Sequence, residues 1–348
     1  MKNNFGREVF MRKRYDSRSG GERIAVQEIA KRLELSPTTV SRALSGKGRI
    51  GQETKDRIHR FLEENHYIPN VSERTQDQEK NICVLLPGEE EQASLPYFQD
   101  ILLNLYDNFS AYGYGVLVVK TVSNDIHQLK SLAEQHKIRG AVLTRSIEKD
   151  LAVSYLKSQK IPFVVIGSLE QEDVLQVDFD QERGCRDLTE VLLKMHIRRI
   201  ACVCGDAGHK VTQSRLKGIQ TAFEEAQIPF PSDLLYTGAI YSSIAEKYVE
   251  DLLKKDTECI LCLDDNICIS VLSVLYKKKI KVPENVKVAS CYGSRLLGLC
   301  YPAVTCLEFD LKEMGRLASK KLLDAVEGTA DDTKLILGYN IVIKDSTK

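Results

Sequence analysis

The sequence has no apolar run that approaches the roughly 20 residues needed to cross a lipid bilayer. Its N-terminal segment, MKNNFGREVFMRKRYDSRSGG, is basic and polar and lacks the apolar stretch of a secretory signal. These two absences argue against a membrane protein and against a secreted one. We therefore predict a cytoplasmic chain that makes no membrane contact.

The sequence patterns of common enzymes are also missing. The chain contains no P-loop, G-x-S-x-G or H-E-x-x-H, and its 6 histidines are scattered without the spacing of metal ligands. Cys259 and Cys262 form a single C-x-x-C in an apolar, strand-like run. Alternation along a strand would point these two thiols to opposite faces. We expect no catalytic residues, no metal site and no cofactor.

Net charge is absent overall, but the charges are unevenly distributed. The whole chain has 49 basic and 49 acidic side chains, whereas residues 1–60 hold 15 Lys and Arg against 7 Asp and Glu. A basic N-terminal region on an acidic remainder points to a polyanionic partner for that region.

From residue 81 onward, apolar runs rich in β-branched residues alternate with amphipathic segments. Continuous apolar strands between helices are typical of a parallel sheet covered on both faces. About 260 residues are too many for one such sheet, so we expect two α/β lobes with a ligand crevice at the carboxyl ends of their strands. The strands are predicted at 82–87, 115–120, 140–144, 162–167, 199–205, 258–263 and 286–292. The helices are predicted at about 97–112, 124–137, 180–195, 212–227, 242–254, 266–278 and 310–326.

Three short helices are predicted before this body, at 26–33, 37–45 and 52–64. Ser36 is a good N-cap for the second helix, and Pro37 at the first helical position has no N–H to leave unpaired. Two helices joined by a tight turn and closed by a third form a helix-turn-helix, whose second helix can enter the major groove of DNA.

The outer face of that second helix has side chains suited to reading bases. Thr38 is short enough for close approach, and Arg42 can donate two hydrogen bonds to guanine. A generic three-helix surface module with solvated side chains would show the same local pattern. The pattern alone therefore leaves both interpretations open.

The segment VQEIAKRLELSPTTVSRALSGKGRIGQETKDRIHRFLEENHYIPN resembles the DNA-binding headpiece of the lactose/galactose repressor (LacI/GalR) family of bacterial transcription regulators. The resemblance rests on Ile29-Ala30, Ser36, Thr39-Val40-Ser41-Arg42, Thr54 and Tyr67-x-Pro69-Asn70. It implies that Pro37, Thr38 and Arg42 read bases, and that Thr39, Ser41 and the backbone near Asn70 contact phosphates.

The resemblance also implies the architecture. An all-α helix-turn-helix headpiece would be followed by a two-lobed α/β core like that of periplasmic binding proteins, with parallel sheets covered by helices. We expect a disordered basic extension over 1–22, the headpiece over 23–69, a hinge or linker over 70–80, and an effector-binding and dimerisation domain over 81–345.

The linker departs from the family, whose hinge helix inserts a Leu wedge into the minor groove. The candidate hinge residues are Val71, Arg74 and Gln76, with Gln76 at about the wedge position and Glu73 adding negative charge. Because a polar amide is a poor wedge, we predict a weaker hinge and less DNA bending. Alternatively, the hinge shifts register and Val71 serves as the wedge.

The effector residues implied by the resemblance are Tyr97, Phe98, Arg215, Asp264, Asp265 and Tyr292. An Asp expected after the Ala289–Ser290 strand is absent, and Ser168 stands where the family often has Arg. We therefore expect a small-molecule effector that is not an ordinary monosaccharide. Two plainer roles stay open, namely a solvated Arg215 in the first turn of a helix and Asp265 as a helix cap.

The chain ends at Lys348 without the heptad tail that makes tetramers, so we expect a homodimer. Such a dimer would read a pseudo-palindromic double-stranded operator. The predicted function is therefore an effector-controlled transcriptional regulator, a repressor and not an enzyme. The alternative is a solute-binding protein of the same core fold, which would have a secretion signal and no headpiece.

Overall fold

The computed structural model describes residues 23–45, 50–65, 68–70, 80–88, 96–122, 124–147, 149–239, 242–330 and 333–348. The chain separates into two compact units, Met1–Asp77 and Gln78–Lys348. The predicted extension 1–22 and the linker residues 71–79 lie outside the described residues.

The three helices predicted in the first unit are confirmed. They are α1 (Val26–Arg32), α2 (Pro37–Ser45) and α3 (Gln52–Glu64). One apolar face of each helix enters a shared core that includes Ile29, Val40, Ile58 and Leu62. The 3.6-residue spacing of these side chains explains why the sequence forms this bundle.

A small sheet, which the sequence analysis missed, joins the two ends of this bundle. Strand β1 (Arg23–Ala25) pairs in parallel with β2 (Ile68–Asn70), and Ala25 lies opposite Asn70. Each strand is only 3 residues long, too short for a periodic pattern to reveal it.

The second unit begins with a lobe built from strands alternating with helices. Its elements are β3 (Asn81–Pro87), α4 (Pro96–Ala111), β4 (Gly115–Thr121), α5 (His127–Glu134), β5 (Gly140–Leu143), α6 (Leu151–Ser158), β6 (Phe163–Ile166) and β7 (Leu175–Phe179). Apolar side chains cover both faces of the sheet, as expected for parallel strands.

The second lobe repeats this alternation. Its elements are α7 (Gln181–Lys194), β8 (Ile200–Val203), α8 (Lys210–Glu225), β9 (Leu235–Tyr236), α9 (Ser242–Leu252), β10 (Cys259–Cys262), α10 (Asp265–Lys277), β11 (Lys287–Ser290) and β12 (Thr305–Glu308). The chain then returns to the first lobe with α11 (Leu311–Glu327) and β13 (Lys334–Leu337), and it ends with β14 (Asn340–Val342) in the second lobe.

The strand order is β13-β7-β6-β5-β3-β4 in the first lobe and β14-β12-β11-β10-β8-β9 in the second. The described pairings are parallel apart from that of β12 with β14, which is antiparallel. The chain passes between the two sheets after β7, after β12 and after β13. These crossings bring the carboxyl ends of both sheets to one crevice.

The predicted strands and helices of this body are confirmed, with ends that differ by a few residues. The helix α6 and the strands β7, β9, β12, β13 and β14 were not predicted. In β7, Gln176 and Asp178 interrupt the apolar pattern. In β10, Cys259 and Cys262 belong to cores on opposite faces of the sheet, as their spacing predicts.

Within the described residues, no helix is long and apolar enough to span a membrane.

Candidate functional site

The first candidate site is the exposed face of α2. Ser36 begins this helix by accepting a hydrogen bond from the Thr39 backbone N–H at 3.0 Å, so the predicted N-cap is confirmed. Val40 and Ala43 anchor the opposite face in the core of the first unit. The helix is therefore fixed at its start and along its inner side.

The residues predicted to read DNA bases lie together on the outer face of α2. Pro37, Thr38 and Arg42 are exposed, whereas Thr39 and Ser41 are half-buried. The Thr39 hydroxyl lies 2.8 Å from the Ser36 hydroxyl. The short hydroxyl side chain of Thr38 and the long cationic side chain of Arg42 therefore lie one helical turn apart, on a face that could enter a DNA groove.

The structure describes only some of the remaining residues that are predicted to contact DNA. Asn70 has its backbone in β2. The candidate hinge residues Val71, Arg74 and Gln76 lie outside the described residues, as does Glu73.

The second candidate site is a cavity of about 230 Å³ in the second unit, at the carboxyl ends of both sheets. The structure brings all of the predicted effector residues to its lining. They are Tyr97, Phe98, Arg215, Asp264, Asp265 and Tyr292. Tyr97 and Phe98 come from α4 of the first lobe, and the others come from the second lobe.

Arg215 is a buried part of the cavity wall. It lies in the second turn of α8 with a relative exposure of 8%, so the solvated interpretation is wrong. Its guanidinium donates to Gln181 Oε1 at 2.8 Å and to the Leu263 carbonyl, and it lies 5.9 Å from the centre of the Tyr292 ring. Arg215 therefore ties α7 and the end of β10 to the cavity.

Asp264 and Asp265 have different roles. Asp264 is the N-cap of α10, with its Oδ1 accepting from the Ile267 N–H at 2.8 Å. The cap interpretation of Asp265 is therefore wrong. Asp265 is 3% exposed, and its Oδ2 has no hydrogen-bond partner among the described residues. Ser294 lowers the pKa of its carboxyl group, against the larger effect of burial.

Burial dominates the electrostatics of these carboxyl groups. It raises the pKa of Asp264 to about 6, with a further rise from the charge of Asp265 and an opposing effect of Arg215. Burial also raises the pKa of Asp265. The cavity wall thus concentrates negative charge in surroundings that disfavour it.

Asp178 is a third carboxylate in the cavity, and the sequence analysis missed it. It is the fourth residue of β7, where burial raises its pKa against the hydrogen bond from Ser168. The missed signal is the run VDFD, in which a polar side chain ends an apolar strand just before a helix. Gln181, also missed, begins that helix and orients Arg215.

Aromatic rings form another part of the wall. Tyr97 and Tyr292 meet edge to face with their centres 5.9 Å apart. Tyr292 also stacks on Phe309, which packs against Phe179 at 4.6 Å. These contacts join rings from both lobes at the cavity.

Two ion pairs join the lobes near the cavity. Lys210 Nζ lies 3.2 Å from Glu170, and Arg295 lies 2.7 Å from Asp100. Exposed pairs of this kind stabilise by less than about 1 kcal/mol each.

Within the part of the chain that the structure describes, no group of three or more His, Cys, Asp or Glu could hold a metal ion. The cavity can bind a small molecule through carboxylates, hydroxyls and ring faces.

Two family descriptions match the sequence in separate regions. Residues 25–70 match "Bacterial regulatory proteins, lacI family", and residues 189–347 match "Periplasmic binding protein-like domain".

Several known proteins are similar over most of the chain. The regulator MalR of Staphylococcus xylosus is 24% identical over 88% of this chain and 92% of its own length. The crystal structure of a LacI regulator from Bacillus cereus subsp. cytotoxis is 25% identical, with a TM-score of 0.72 over 77% of this chain and 98% of that one. The lac repressor dimer bound to operator and an anti-inducer is 18% identical, with a TM-score of 0.71 over 94% of this chain and 99% of that one.

Proposed function

Because this chain belongs to the lacI family of bacterial regulatory proteins and is a DNA-binding transcriptional regulator, we propose that it represses transcription as an effector-controlled homodimer. The family consists of transcriptional regulators and not of enzymes. The proposed site of action is the cytoplasm, where the DNA lies. The lac repressor, which shares the fold, was solved as a dimer on its operator.

The observation that carries the DNA-binding part of the proposal is the outer face of α2. Pro37, Thr38 and Arg42 are exposed on a helix whose inner face is fixed in a closed core. The N-terminal part of such a helix can reach base edges in the major groove. Thr39 and Ser41, beside that face, would contact phosphates, as would the backbone at Asn70.

A second copy of the chain is the proposed partner for exposed apolar residues on the second lobe. Tyr276 on α10 is 84% exposed, and Leu299 and Tyr301 in the loop before β12 are 83% and 95% exposed. The short turn Leu297–Leu299 packs against α10, the helix that carries Tyr276. Burying them in a dimer would remove large apolar groups from water.

Selection from a random double-stranded DNA library at near-physiological salt tests the proposal. We expect the full-length protein to enrich one two-fold-symmetric site. On that site, Arg42→Ala should weaken binding about ten-fold or more, since a bidentate contact to guanine contributes about 1–3 kcal/mol. Arg60→Ala, an equal loss of charge at an exposed position on α3, is the matched control. Equal losses in both variants, or no enriched site, would contradict the proposal.

The linker residues Val71, Arg74 and Gln76 are proposed to form a weak hinge on the operator centre. Replacing the polar amide by an apolar wedge should strengthen this contact. Gln76→Leu is therefore expected to sharpen base preference at the central step of the selected site. An unchanged preference, with Val71→Ala relaxing it, would instead support the shifted register.

The cavity is the proposed effector site, because side chains from both lobes line it. A ligand in this cavity can shift the two lobes from one arrangement to another only if it binds one of the two arrangements more tightly.

A further inference from the structure

We infer that the effector cavity takes a small molecule with a protonated amine, whose positive charge lies against Asp265, Asp264 and Asp178. This inference rests on the proposed function, since it assigns a chemical class to the ligand of the same cavity.

The first step is the balance of charge in the cavity wall. Three carboxyl groups, those of Asp178, Asp264 and Asp265, face one buried guanidinium, that of Arg215. Within the described residues, Arg215 donates hydrogen bonds to the neutral oxygens of Gln181 and Leu263. Among these four groups, three carboxyl groups stand against one guanidinium, and a neutral ligand would leave that excess of negative charge in place.

Two further cations lie in the wall. Lys210 pairs with Glu170 at 3.2 Å, whereas Arg145 donates to the neutral Thr121 carbonyl at 3.4 Å and so keeps its positive charge. Asp206, also in the wall, adds a further carboxylate, whose Oδ1 accepts from the Gly208 N–H at 2.8 Å.

An independent observation is the unpartnered oxygen of Asp265. Its Oδ2 is buried, lies in a residue that lines the cavity, and has no hydrogen-bond partner among the described residues. A buried acceptor without a donor is costly, so a ligand donor would be strongly favoured there. An ammonium group supplies both the donor and the missing charge, and such charge-assisted bonds are stronger than neutral ones.

The aromatic rings favour the same chemistry. Tyr97 and Tyr292 contact each other edge to face at the cavity. The guanidinium of Arg215 already lies 5.9 Å from the Tyr292 ring centre. Ring faces attract cations, and the combination of rings and carboxylates is suited to a ligand ammonium.

Calorimetry with matched pairs of probes tests the inference on the full-length protein. The pairs are glucosamine with glucose, and 1,5-diaminopentane with 1,5-pentanediol, so that each amine replaces a hydroxyl of similar size. We expect at least one amine to bind about ten-fold or more tightly than its hydroxyl partner. Equal or tighter binding of the hydroxyl partners, or no binding by either amine, would overturn the inference.

Two variants connect this preference to the proposed residue. Asp265→Asn keeps the shape of the side chain but removes its charge, and it should reduce the amine preference at least several-fold. Asp107→Asn, an exposed position on α4, is the matched control and should leave the preference unchanged. The melting temperature of each unliganded variant shows whether it folds. An unchanged preference in folded Asp265→Asn would contradict the assignment.

A separate measurement distinguishes this inference from the proposed function. Binding to the selected operator is measured without any probe for the wild type and for Asp265→Asn. If the protein selects no operator, the proposed function fails, whereas the calorimetric comparison still decides the class of ligand. If operator binding holds and the hydroxyl probes bind best, only the amine inference fails.

Discussion

Asp264→Asn should remove a pH-dependent loss of stability from the second lobe. Burial raises the pKa of Asp264 from its ordinary 3.8 to about 6. The folded state therefore holds the proton more tightly than the unfolded state does. The resulting stability is fully present below about pH 4 and is lost as the pH rises through about 6.

The size of the effect follows from this shift. About two pKa units correspond to at most about 3 kcal/mol, and partial exposure of the side chain to solvent reduces this to about 1–2 kcal/mol. Asparagine is an equally good N-cap, so the variant can keep the hydrogen bond from the Ile267 N–H while losing the charge. We expect Asp264→Asn to be more stable than the wild type at pH 7.5, with the advantage shrinking toward pH 5.

Urea unfolding of the full-length chain, followed by circular dichroism between pH 5 and pH 8, measures this difference. Asp310→Asn is the matched control, because Asp310 caps α11 in the same way but is exposed to solvent. Its effect should vary little over this range. A constant difference between Asp264→Asn and the wild type across the range would refute the reasoning.

Three further predictions concern packing and the lobe contacts. Val40→Ala should destabilise the first unit by about 1–3 kcal/mol and weaken operator binding, as measured by urea unfolding and a mobility-shift assay, because Val40 is fully buried behind the outer face of α2. Gly218→Ala would place a Cβ 2.0 Å from the Glu182 carbonyl oxygen and should cost about 1–3 kcal/mol or more in urea unfolding. Gly298→Ala, in open space, should change stability by less than about 0.5 kcal/mol, and a similar loss in both would contradict the packing argument. Arg295→Ala should lower stability by less than about 1 kcal/mol in the same assay, because its ion pair between the lobes is largely exposed.

The sequence was most informative where local periodicity and burial coincide. The helix α2 was predicted with its correct ends because Ser36 caps it and Val40 gives it an inner face. The strands β3 and β10 were found because both of their faces are buried, which requires continuous apolar runs. Pairing between distant segments leaves no such local signal, which is why β1 and β2 were missed.

The cavity shows the limit of predicting the residues of a binding site from the sequence. The six effector residues predicted from the resemblance all line one cavity, but the resemblance gave no information on Asp178, whose strand breaks the apolar pattern. Polar residues at the end of a strand look the same in sequence whether they enter a loop, a cap or a binding site. Their meaning depends on which other strand ends share the crevice, and that is set by the topology of the sheets.

The roles of the adjacent residues Asp264 and Asp265 also depend on the surrounding structure. An N-cap side chain must reach the N–H group two or three residues ahead, so the cap is decided by where the helix begins. Because α10 begins at Asp265, Asp264 is the cap and its partner is the Ile267 N–H. Asp265 is then free of that task and is held in the cavity wall with one oxygen unpartnered among the described residues. A shift of the helix start by one residue would have moved the cap to Asp265 and changed which carboxyl group has an unpartnered oxygen, so neighbouring identical residues can receive different roles from backbone geometry alone.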